Sequence, residues 1–289
     1  MKDYIIIVDS ASDIPKNLRH EYNIEVLGLK CILNNKEYIE DDNMELSYDE
    51  FYKAIREGAM PTTSQVNLNT YYEVFEKHIK EGKTVIYPAF SSALSGCYNA
   101  SLLAREDVLE KYPEADIRIF DTKCASLGYG LLIIKAMEYA KKGASCDEVY
   151  NFLTETAPNI NHIVLLDDLS YLKRGGRLSG TAAVLGSLLM IKPLVKMNEN
   201  GELINYSKVK GRKKGINTLF EEFENKAVDI NNQKVVAICH SDCLDDAQKL
   251  AKMITDKYNL KVIIGSIGCV IGSHTGASTM ALFFVGNGR

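Results

Sequence analysis

Short apolar runs alternate with segments of helical spacing through the first half of the chain. The runs at residues 4–8, 84–87 and 117–120 are rich in β-branched side chains, and each is followed by a polar turn and a helical pattern. Such alternation is typical of β/α units, whose strands are parallel and whose crossover connections are right-handed. The pattern therefore predicts a first α/β domain with a parallel sheet, formed by residues 1–157.

A hairpin pattern interrupts this alternation. Residues 24–33 and 36–39 form two runs suited to strands on either side of the pair Asn34-Asn35. Two such runs around a short turn of this composition indicate antiparallel strands. We therefore expect a hairpin, near residues 24–46, that is inserted in the first domain.

The pattern changes after Pro158. Apolar runs at 194–197 and 203–208 flank a turn that contains Gly201, which predicts another hairpin. The sequence thus favours a second α/β domain over residues 158–289 with a mixed or largely antiparallel sheet. The expected fold is one of two α/β domains.

Composition limits the classes of protein to which the chain can belong. With 289 residues, of which 46% are hydrophobic, it can form two modest domains with full cores. A net charge of -4 argues against nucleic acid as the main partner. No run is apolar over the width of a bilayer and no signal peptide is recognisable, so we expect no stable membrane insertion. Seven scattered cysteines favour reduced thiols and a cytoplasmic location.

The sequence predicts neither a cofactor nor a metal site. The glycines in residues 128–130 lack the third glycine of a dinucleotide-binding turn, because position 133 is Ile, and close helix packing explains them better. Cys239, His240 and Cys243 offer only three soft metal ligands, and no second cysteine pair follows.

Residues 84–96 combine a strand, a hydroxyl-rich turn and the start of a helix. Ser91, Ser92 and Ser95 follow the strand, and helical spacing begins at Tyr98. Because a helix N-terminus has free N–H groups and a partial positive charge, the turn is suited to binding an anion. The serines are equally suited to capping the helix, and both interpretations stay open. With no Lys or Arg in the turn, the favoured anion is a carboxylate rather than a triphosphate.

Two other polar segments are candidates to meet this turn. Residues 61–65 predict a short loop rich in hydrogen-bond donors, and the helix after it returns the chain to the sheet. Arg174 and Arg177 lie in a glycine-hinged loop that precedes a helix capped by Ser179. They suit either surface salt bridges or contacts with a carboxylate, for which the arginine fork is well shaped.

Two segments of the second half allow both a structural and a functional interpretation. His274 lies between hydroxyl residues and glycines, which allow close backbone approach and can fix its tautomer, although a lone histidine is commonly structural. The nearly apolar residues 181–195 are too few to span a membrane. They predict either a buried core helix or the wall of an apolar cavity.

Taken in order, the motifs resemble those of the DegV family. They are Asp-Ser-Ala-Ser-Asp at 9–13, Thr-Ser-Gln at 63–65, Ser-Ser-Ala-Leu-Ser-Gly at 91–96, Tyr-Leu-Lys-Arg-Gly-Gly-Arg-Leu-Ser at 171–179, Lys-Pro at 192–193 and Ser-His-Thr-Gly at 273–276. The match covers nearly the whole chain, and the ordered set is specific although each motif alone is not. DegV-like proteins are bacterial fatty-acid-binding proteins, and the best understood members present the fatty acid to a separate ATP-dependent kinase, which phosphorylates its carboxylate.

The resemblance implies that this chain binds a long-chain fatty acid between its two domains, with residues 181–191 as part of the wall. It implies that Thr63 and Ser95 hold the carboxylate and that Arg177 and His274 lie nearby. The implied partner is an ATP-dependent fatty acid kinase subunit, and the chain itself is not an enzyme. The predicted ligand-binding residues are Thr63, Ser64, Ser92, Ser95, Arg177, His274 and Thr275.

Two other classes of function compete with a lipid carrier. A serine hydrolase would use Ser95 or Ser92 with His274 and an aspartate such as Asp9. The sequence lacks the G-x-S-x-G elbow, although triads are defined by geometry. A phosphate-binding enzyme is disfavoured because no G-x-x-x-x-G-K-[ST] motif occurs.

Overall fold

The computed structural model describes residues 3–180, 190–230 and 233–289, which form three sheets with flanking helices. The strands are β1 (Tyr4–Asp9), β2 (Glu25–Leu27), β3 (Lys30–Leu33), β4 (Lys36–Ile39), β5 (Thr62–Ser64), β6 (Thr84–Ala89), β7 (Ile117–Asp121), β8 (Ile160–Leu165), β9 (Leu178–Ser179), β10 (Ile191–Met197), β11 (Leu203–Lys210), β12 (Val235–His240), β13 (Lys261–Ser266) and β14 (Met280–Val285). The helices are α1 (Lys16–Tyr22), α2 (Tyr48–Arg56), α3 (Leu68–Lys80), α4 (Cys97–Lys111), α5 (Ser126–Ala140), α6 (Cys146–Thr156), α7 (Ser170–Arg174), α8 (Arg212–Lys226), α9 (Leu244–Tyr258) and α10 (Cys269–Thr275).

The first sheet is parallel throughout, with strand order β2-β1-β6-β7. Strand β6 lies inside it and is buried along its whole length, which is why its sequence is a continuous apolar run. Helices α3, α4 and α5 separate or follow its strands as the β/α alternation requires. The predicted parallel sheet is therefore confirmed.

A small antiparallel sheet, with order β4-β3-β5, stands beside the parallel one. The prediction that residues 24–33 form one hairpin arm is wrong, because β2 pairs with β1 and only β3 joins the hairpin. The chain bends at Gly28, where a Cβ atom would lie 2.4 Å from the Ile39 side chain. Residues 61–65, expected to be a loop, contain β5, whose Thr63 is paired with Cys31 of β3.

The third sheet is mixed, as expected, with strand order β13-β12-β14-β8-β10-β11-β9. Its β12–β13 and β11–β9 pairs are parallel and its other pairs antiparallel, including the predicted hairpin of β10 and β11. Ser179 lies in β9 and donates a hydrogen bond to Glu202. Residues 181–189, the core of the predicted cavity wall, lie outside the described residues. The division of the chain near Pro158 stays a prediction.

Helix α5 packs between the parallel and the mixed sheet. Its glycines permit this close approach: a Cβ on Gly128 would lie 2.4 Å from His162 and 2.6 Å from Phe283, and one on Gly130 would lie 2.6 Å from the Ser12 carbonyl oxygen. The interpretation of these glycines as packing positions is confirmed. Among the described helices, none has both the length and the apolar character that crossing a bilayer requires.

Two buried carboxylates hold the start of α10, a helix that the sequence did not predict. The Gly268 N–H donates to Asp13 at 2.9 Å, and the Cys269 N–H donates to Glu40. Burial raises the pKa of Asp13 to about 7 and that of Glu40 to about 8. Because Asp13 follows β1 and Glu40 follows β4, the pair fixes α10 against both N-terminal sheets.

We expect the free energy of unfolding to decrease as the pH rises from about 6.5 to about 9. In the folded state the pKa values of Asp13 and Glu40 exceed the ordinary values of 3.8 and 4.5. The stabilisation of the folded state by the protonated pair is therefore complete at pH values below those ordinary pKa values. This stabilisation is lost progressively as the pH rises from the ordinary values through the folded values, and the last part of the loss falls between about pH 6.5 and about pH 9. The loss should be on the order of 2–3 kcal/mol, at about 1.4 kcal/mol per pKa unit. Urea unfolding at a series of pH values measures it.

The variant Glu40→Gln keeps a side-chain oxygen for the helix N–H groups but cannot ionise. Its stability should therefore decline less over the same pH range. Glu45→Gln removes an acidic residue from the exposed surface and serves as the matched control. If Glu40→Gln and the wild type decline equally, Glu40 is not a source of the pH dependence.

Candidate functional site

A cavity of about 400 Å³ lies where β5, the turn before α4, α7 and α10 meet. This volume falls in the range of pockets that hold small organic molecules. Polar side chains cluster among its lining residues, and the remainder are mainly apolar. The polar group is Thr63, Ser64, Gln65, Ser95, Arg177, His274 and Thr275. The apolar group is Leu29, Phe90, Leu94, Ala125, Leu172, Leu203, Val270 and Ile271.

Thr63 and His274 are joined by a hydrogen bond of 2.7 Å between Oγ1 and Nε2. Strand β5 carries Thr63 and the last turn of α10 carries His274, so this bond ties the small sheet to the helix. Burial, together with the positive charges of Arg177 and Arg174, lowers the pKa of His274 to about 4. The imidazole is therefore neutral near pH 7.

The other ring nitrogen of His274 faces Gly175. A Cβ on Gly175 would lie 2.2 Å from Nδ1, so glycine is needed for this approach. Nδ1 is buried and has no hydrogen-bond partner among the described residues. Since an unpaired buried N–H costs more than an unpaired nitrogen lone pair, the proton belongs on Nε2, which donates to Thr63.

The three serines of the turn before α4 have different partners. Ser91 donates to the Gly201 carbonyl oxygen at 2.8 Å, and Ser92 donates to Asp121 at 2.6 Å. Only Ser95 lines the cavity, and it accepts a hydrogen bond from the Cys97 N–H at 3.3 Å. Of the three serines, Ser95 alone accepts from an N–H at the start of α4. The interpretation of the serines as helix caps therefore holds in part, and only for Ser95. Ser92, one of the predicted ligand-binding residues, has its hydroxyl outside the cavity lining.

The predicted loop around Ser95 abuts the segment that carries Thr63. A Cβ on Gly96 would lie 2.0 Å from the Gln65 side-chain oxygen, so the two segments are in close contact here. The convergence of these segments, which the sequence analysis considered but left open, is therefore observed. Both hydroxyl groups, those of Thr63 and Ser95, line the same cavity.

Arg177 supplies a positive charge to the cavity without a matching acidic side chain. Its guanidinium donates to the carbonyl oxygens of Leu94 and Gly175, and it forms no ion pair with a carboxylate in the described part of the chain. Arg174 is exposed, lies over the Tyr171 ring and ends helix α7 rather than standing in a loop. The half-buried charge of Arg177 therefore favours an anion in the cavity.

In the described structure, Asp9 does not contact His274 as the aspartate of a serine hydrolase would. Asp9 is fully buried and accepts hydrogen bonds from Tyr87 and from the Ala11 N–H, with no bond to His274. His274 is bonded to Thr63 rather than to Ser95 or Ser92. Within the described residues, the geometry therefore does not assemble the serine, histidine and aspartate that the alternative requires.

Sequence reasoning missed most of the apolar lining. Leu29, Leu203 and Val270 come from three distant segments and belong to none of the motifs, so no local signal points to them. Gln65 was visible as part of the Thr-Ser-Gln motif but was not singled out. Groups of three or more His, Cys, Asp or Glu side chains able to hold a metal do not occur in the described ranges.

Comparisons with known proteins agree on one family. The model of the family described as "Uncharacterised protein, DegV family" matches residues 4–287. A DegV domain-containing protein of Clostridium perfringens is 50% identical over 288 residues, which are 99% of each chain.

Solved structures show the same fold. A DegV lipid binding protein from Thermotoga maritima superposes with a TM-score of 0.85 at 29% identity and 100% coverage of both chains. A DegV family protein from Thermus thermophilus, described as fatty acid binding, gives 0.86 at 27% identity, with 98% of this chain and 99% of that one covered.

We expect Gly175→Ala to displace the His274 ring and break its bond to Thr63. The added Cβ would overlap Nδ1, and the displaced ring would be better solvated. The pKa of His274 should therefore rise from about 4 toward its ordinary value of 6.5. NMR titration of the imidazole measures this change.

Gly176→Ala is the matched control. Gly176 has a φ of +67° and nothing within 4 Å of its would-be Cβ, so the substitution strains the backbone without touching the ring. It should cost about 1 kcal/mol of stability and leave the His274 titration unchanged. A wild-type titration in Gly175→Ala would contradict the proposed contact.

Proposed function

The chain belongs to the DegV family, and from that membership and its cavity we propose that it binds a long-chain fatty acid between its two predicted domains. The observation that carries the proposal is the half-buried Arg177 charge, which lacks an acidic partner in the described chain beside an otherwise largely apolar cavity. A fatty acid supplies the missing carboxylate and the apolar chain together. The lipid and fatty acid binding described for the Thermotoga and Thermus proteins supports the same ligand class.

The acyl chain supplies most of the affinity in this proposal. Each buried methylene contributes roughly 0.8 kcal/mol, so about fifteen supply on the order of 12 kcal/mol before ordering costs are subtracted. The buried side chains of Phe90, Leu172 and Val270 provide apolar contacts for the acyl chain. The carboxylate adds orientation and specificity for the acid.

The head group is held by hydroxyl groups whose hydrogens are free to turn toward it. Because Nε2 of His274 donates to Thr63 Oγ1, the Thr63 hydroxyl hydrogen is available for a carboxylate oxygen. Ser95 offers a second hydroxyl, and Arg177 supplies the charge that an anion needs in a half-buried site. Ser64 and Thr275 stand at the same end of the cavity, while Ser92 is a weaker candidate.

The chain acts as a carrier and not as an enzyme in this proposal. A separate ATP-binding kinase phosphorylates the bound fatty acid, in keeping with the family resemblance and with the absence of a G-x-x-x-x-G-K-[ST] motif from the sequence. We place this activity in the cytoplasm because the seven cysteines are free thiols.

A fatty acid should remain bound when the protein is purified. Mass spectrometry of a denaturing lipid extract identifies it, and delipidated protein should gain thermal stability when hexadecanoate is added, because a ligand that binds only the folded state stabilises it. A protein denatured before purification, and therefore without a cavity, serves as the control for adventitious lipid. Absence of an acyl chain from the extract together with absence of a thermal shift would refute the proposal.

Thr63→Ala or Ser95→Ala should weaken hexadecanoate binding by roughly ten- to a hundred-fold. Each removes one hydrogen bond to a charged group, which contributes roughly 1.5–3 kcal/mol. Ser92→Ala, in the same turn but with its hydroxyl on Asp121, is the matched control and should bind almost as the wild type does. Calorimetric titration of the delipidated proteins measures the affinities.

The methyl ester of the same acid distinguishes the head group from the tail. It carries no anion, so it should bind the wild type less tightly than the acid does. The ratio of acid affinity to ester affinity should be smaller in the double variant that carries both Thr63→Ala and Ser95→Ala, because its carboxylate site is already damaged. Equal acid affinity in wild type and double variant would mean that the carboxylate lies elsewhere.

A further inference from the structure

A chain of buried polar groups runs from the cavity into the core beneath it. The Ser95 hydroxyl donates to the Cys97 sulfur at 3.2 Å, and the Tyr71 hydroxyl lies beside Cys97 on its inner side. The Tyr71 and Tyr87 hydroxyls are 2.8 Å apart, and Tyr87 donates to Asp9 at 2.7 Å. All members except Ser95 are buried. One end of the chain is thus a cavity hydroxyl and the other a carboxylate.

Asp9 fixes the direction of every hydrogen bond in this chain. Its two oxygens accept from Tyr87 and from the Ala11 N–H, so the Tyr87 hydrogen is committed to Asp9. Tyr87 must then accept from Tyr71, and the Tyr71 oxygen is left able to accept from the neighbouring Cys97 thiol. Cys97 therefore has its hydrogen directed inward and presents its sulfur as an acceptor to Ser95.

The N–H of Val66, which follows the Thr-Ser-Gln segment, also faces the Cys97 sulfur. Sulfur is a weak hydrogen-bond acceptor, so it holds the Ser95 hydrogen only loosely. When Ser95 turns its hydrogen away, the sulfur still has the Val66 N–H as a donor. Releasing the Ser95 hydroxyl therefore leaves no buried group unsatisfied.

We propose that Cys97 is a positioning residue that sets the affinity of the cavity for carboxylates by competing weakly for the Ser95 hydrogen. In the empty site the thiol keeps the Ser95 hydroxyl ordered. In the loaded site Ser95 donates to the ligand, and little is lost in the exchange. The inference rests on the proposed function, because it requires a ligand that accepts from Ser95.

Variants that change how strongly residue 97 accepts a hydrogen bond test this competition. Cys97→Ser substitutes a stronger acceptor of similar shape, and it should weaken hexadecanoate binding about three- to tenfold, the effect of one neutral hydrogen bond. Cys97→Ala offers no side-chain acceptor and should bind at least as tightly as the wild type. Cys146→Ser, on a half-buried cysteine at the start of α6, is the control for a cysteine-to-serine change and should not alter binding.

The same substitutions in a Ser95→Ala background isolate the mechanism. With no Ser95 hydroxyl to compete for, residue 97 should no longer affect affinity. If Cys97→Ser weakens binding equally in both backgrounds, or not at all in the wild type, the inference is wrong. If the proposed function itself is wrong, the wild type will take up no hexadecanoate, and this result distinguishes that outcome from failure of the present inference.

Infrared spectroscopy of the ligand-free protein checks the inward direction without any ligand. The S–H stretching band of Cys97, identified by its loss in Cys97→Ala, should lie at the low frequency of a donating thiol. It should move to higher frequency in Tyr71→Phe, which removes the acceptor oxygen. A band that Tyr71→Phe does not move would overturn the inference whether or not the protein binds lipid.

Discussion

The site depends on the attachment of α10 by two buried carboxylates. Burying such groups is unfavourable, and hydrogen bonds from the start of a helix compensate for it in part. The N–H groups of Gly268 and Cys269 serve this purpose for Asp13 and Glu40. Because the two acids belong to different sheets, the helix has one position relative to both. His274, one turn further on, is thereby brought to Thr63.

Uncompensated charge distinguishes this cavity from an ordinary apolar void. Many cationic side chains in the described chain are paired with acids on the surface, where such pairs contribute little. Arg177 instead donates to backbone carbonyl oxygens and is half-buried. His274 is neutral and adds no second charge that would have to be balanced. The site therefore suits a ligand group that carries one negative charge and accepts hydrogen bonds. Neutral hydroxyl groups supply the remaining donors to that group.

The sequence predicted what local interactions determine. The capping boxes at Ser47 and Ser145 can be recognised from the sequence alone, because each needs only a glutamate three residues later. Helix α10 was missed because its glycine-rich sequence resembles a loop and its anchor Asp13 is 255 residues away. Strand β5 was missed for the same reason, since its only partner among the described strands is β3, across an intervening helix. The motifs located the polar residues of the cavity, whereas its apolar lining depends on tertiary packing.

A carrier that presents its ligand to another protein needs a buried tail and an accessible head, and the cavity has this polarity. Phe90, Leu172 and Val270 are buried, while Ser64 at the polar end is exposed. Under the proposed function, contacts that are inaccessible to solvent hold the tail, so the head-group contacts need not be strong. Weak acceptors and neutral donors around the carboxylate then have a purpose under the proposed function: they order the oxygens without enclosing them, and the reacting atoms stay within reach of a partner.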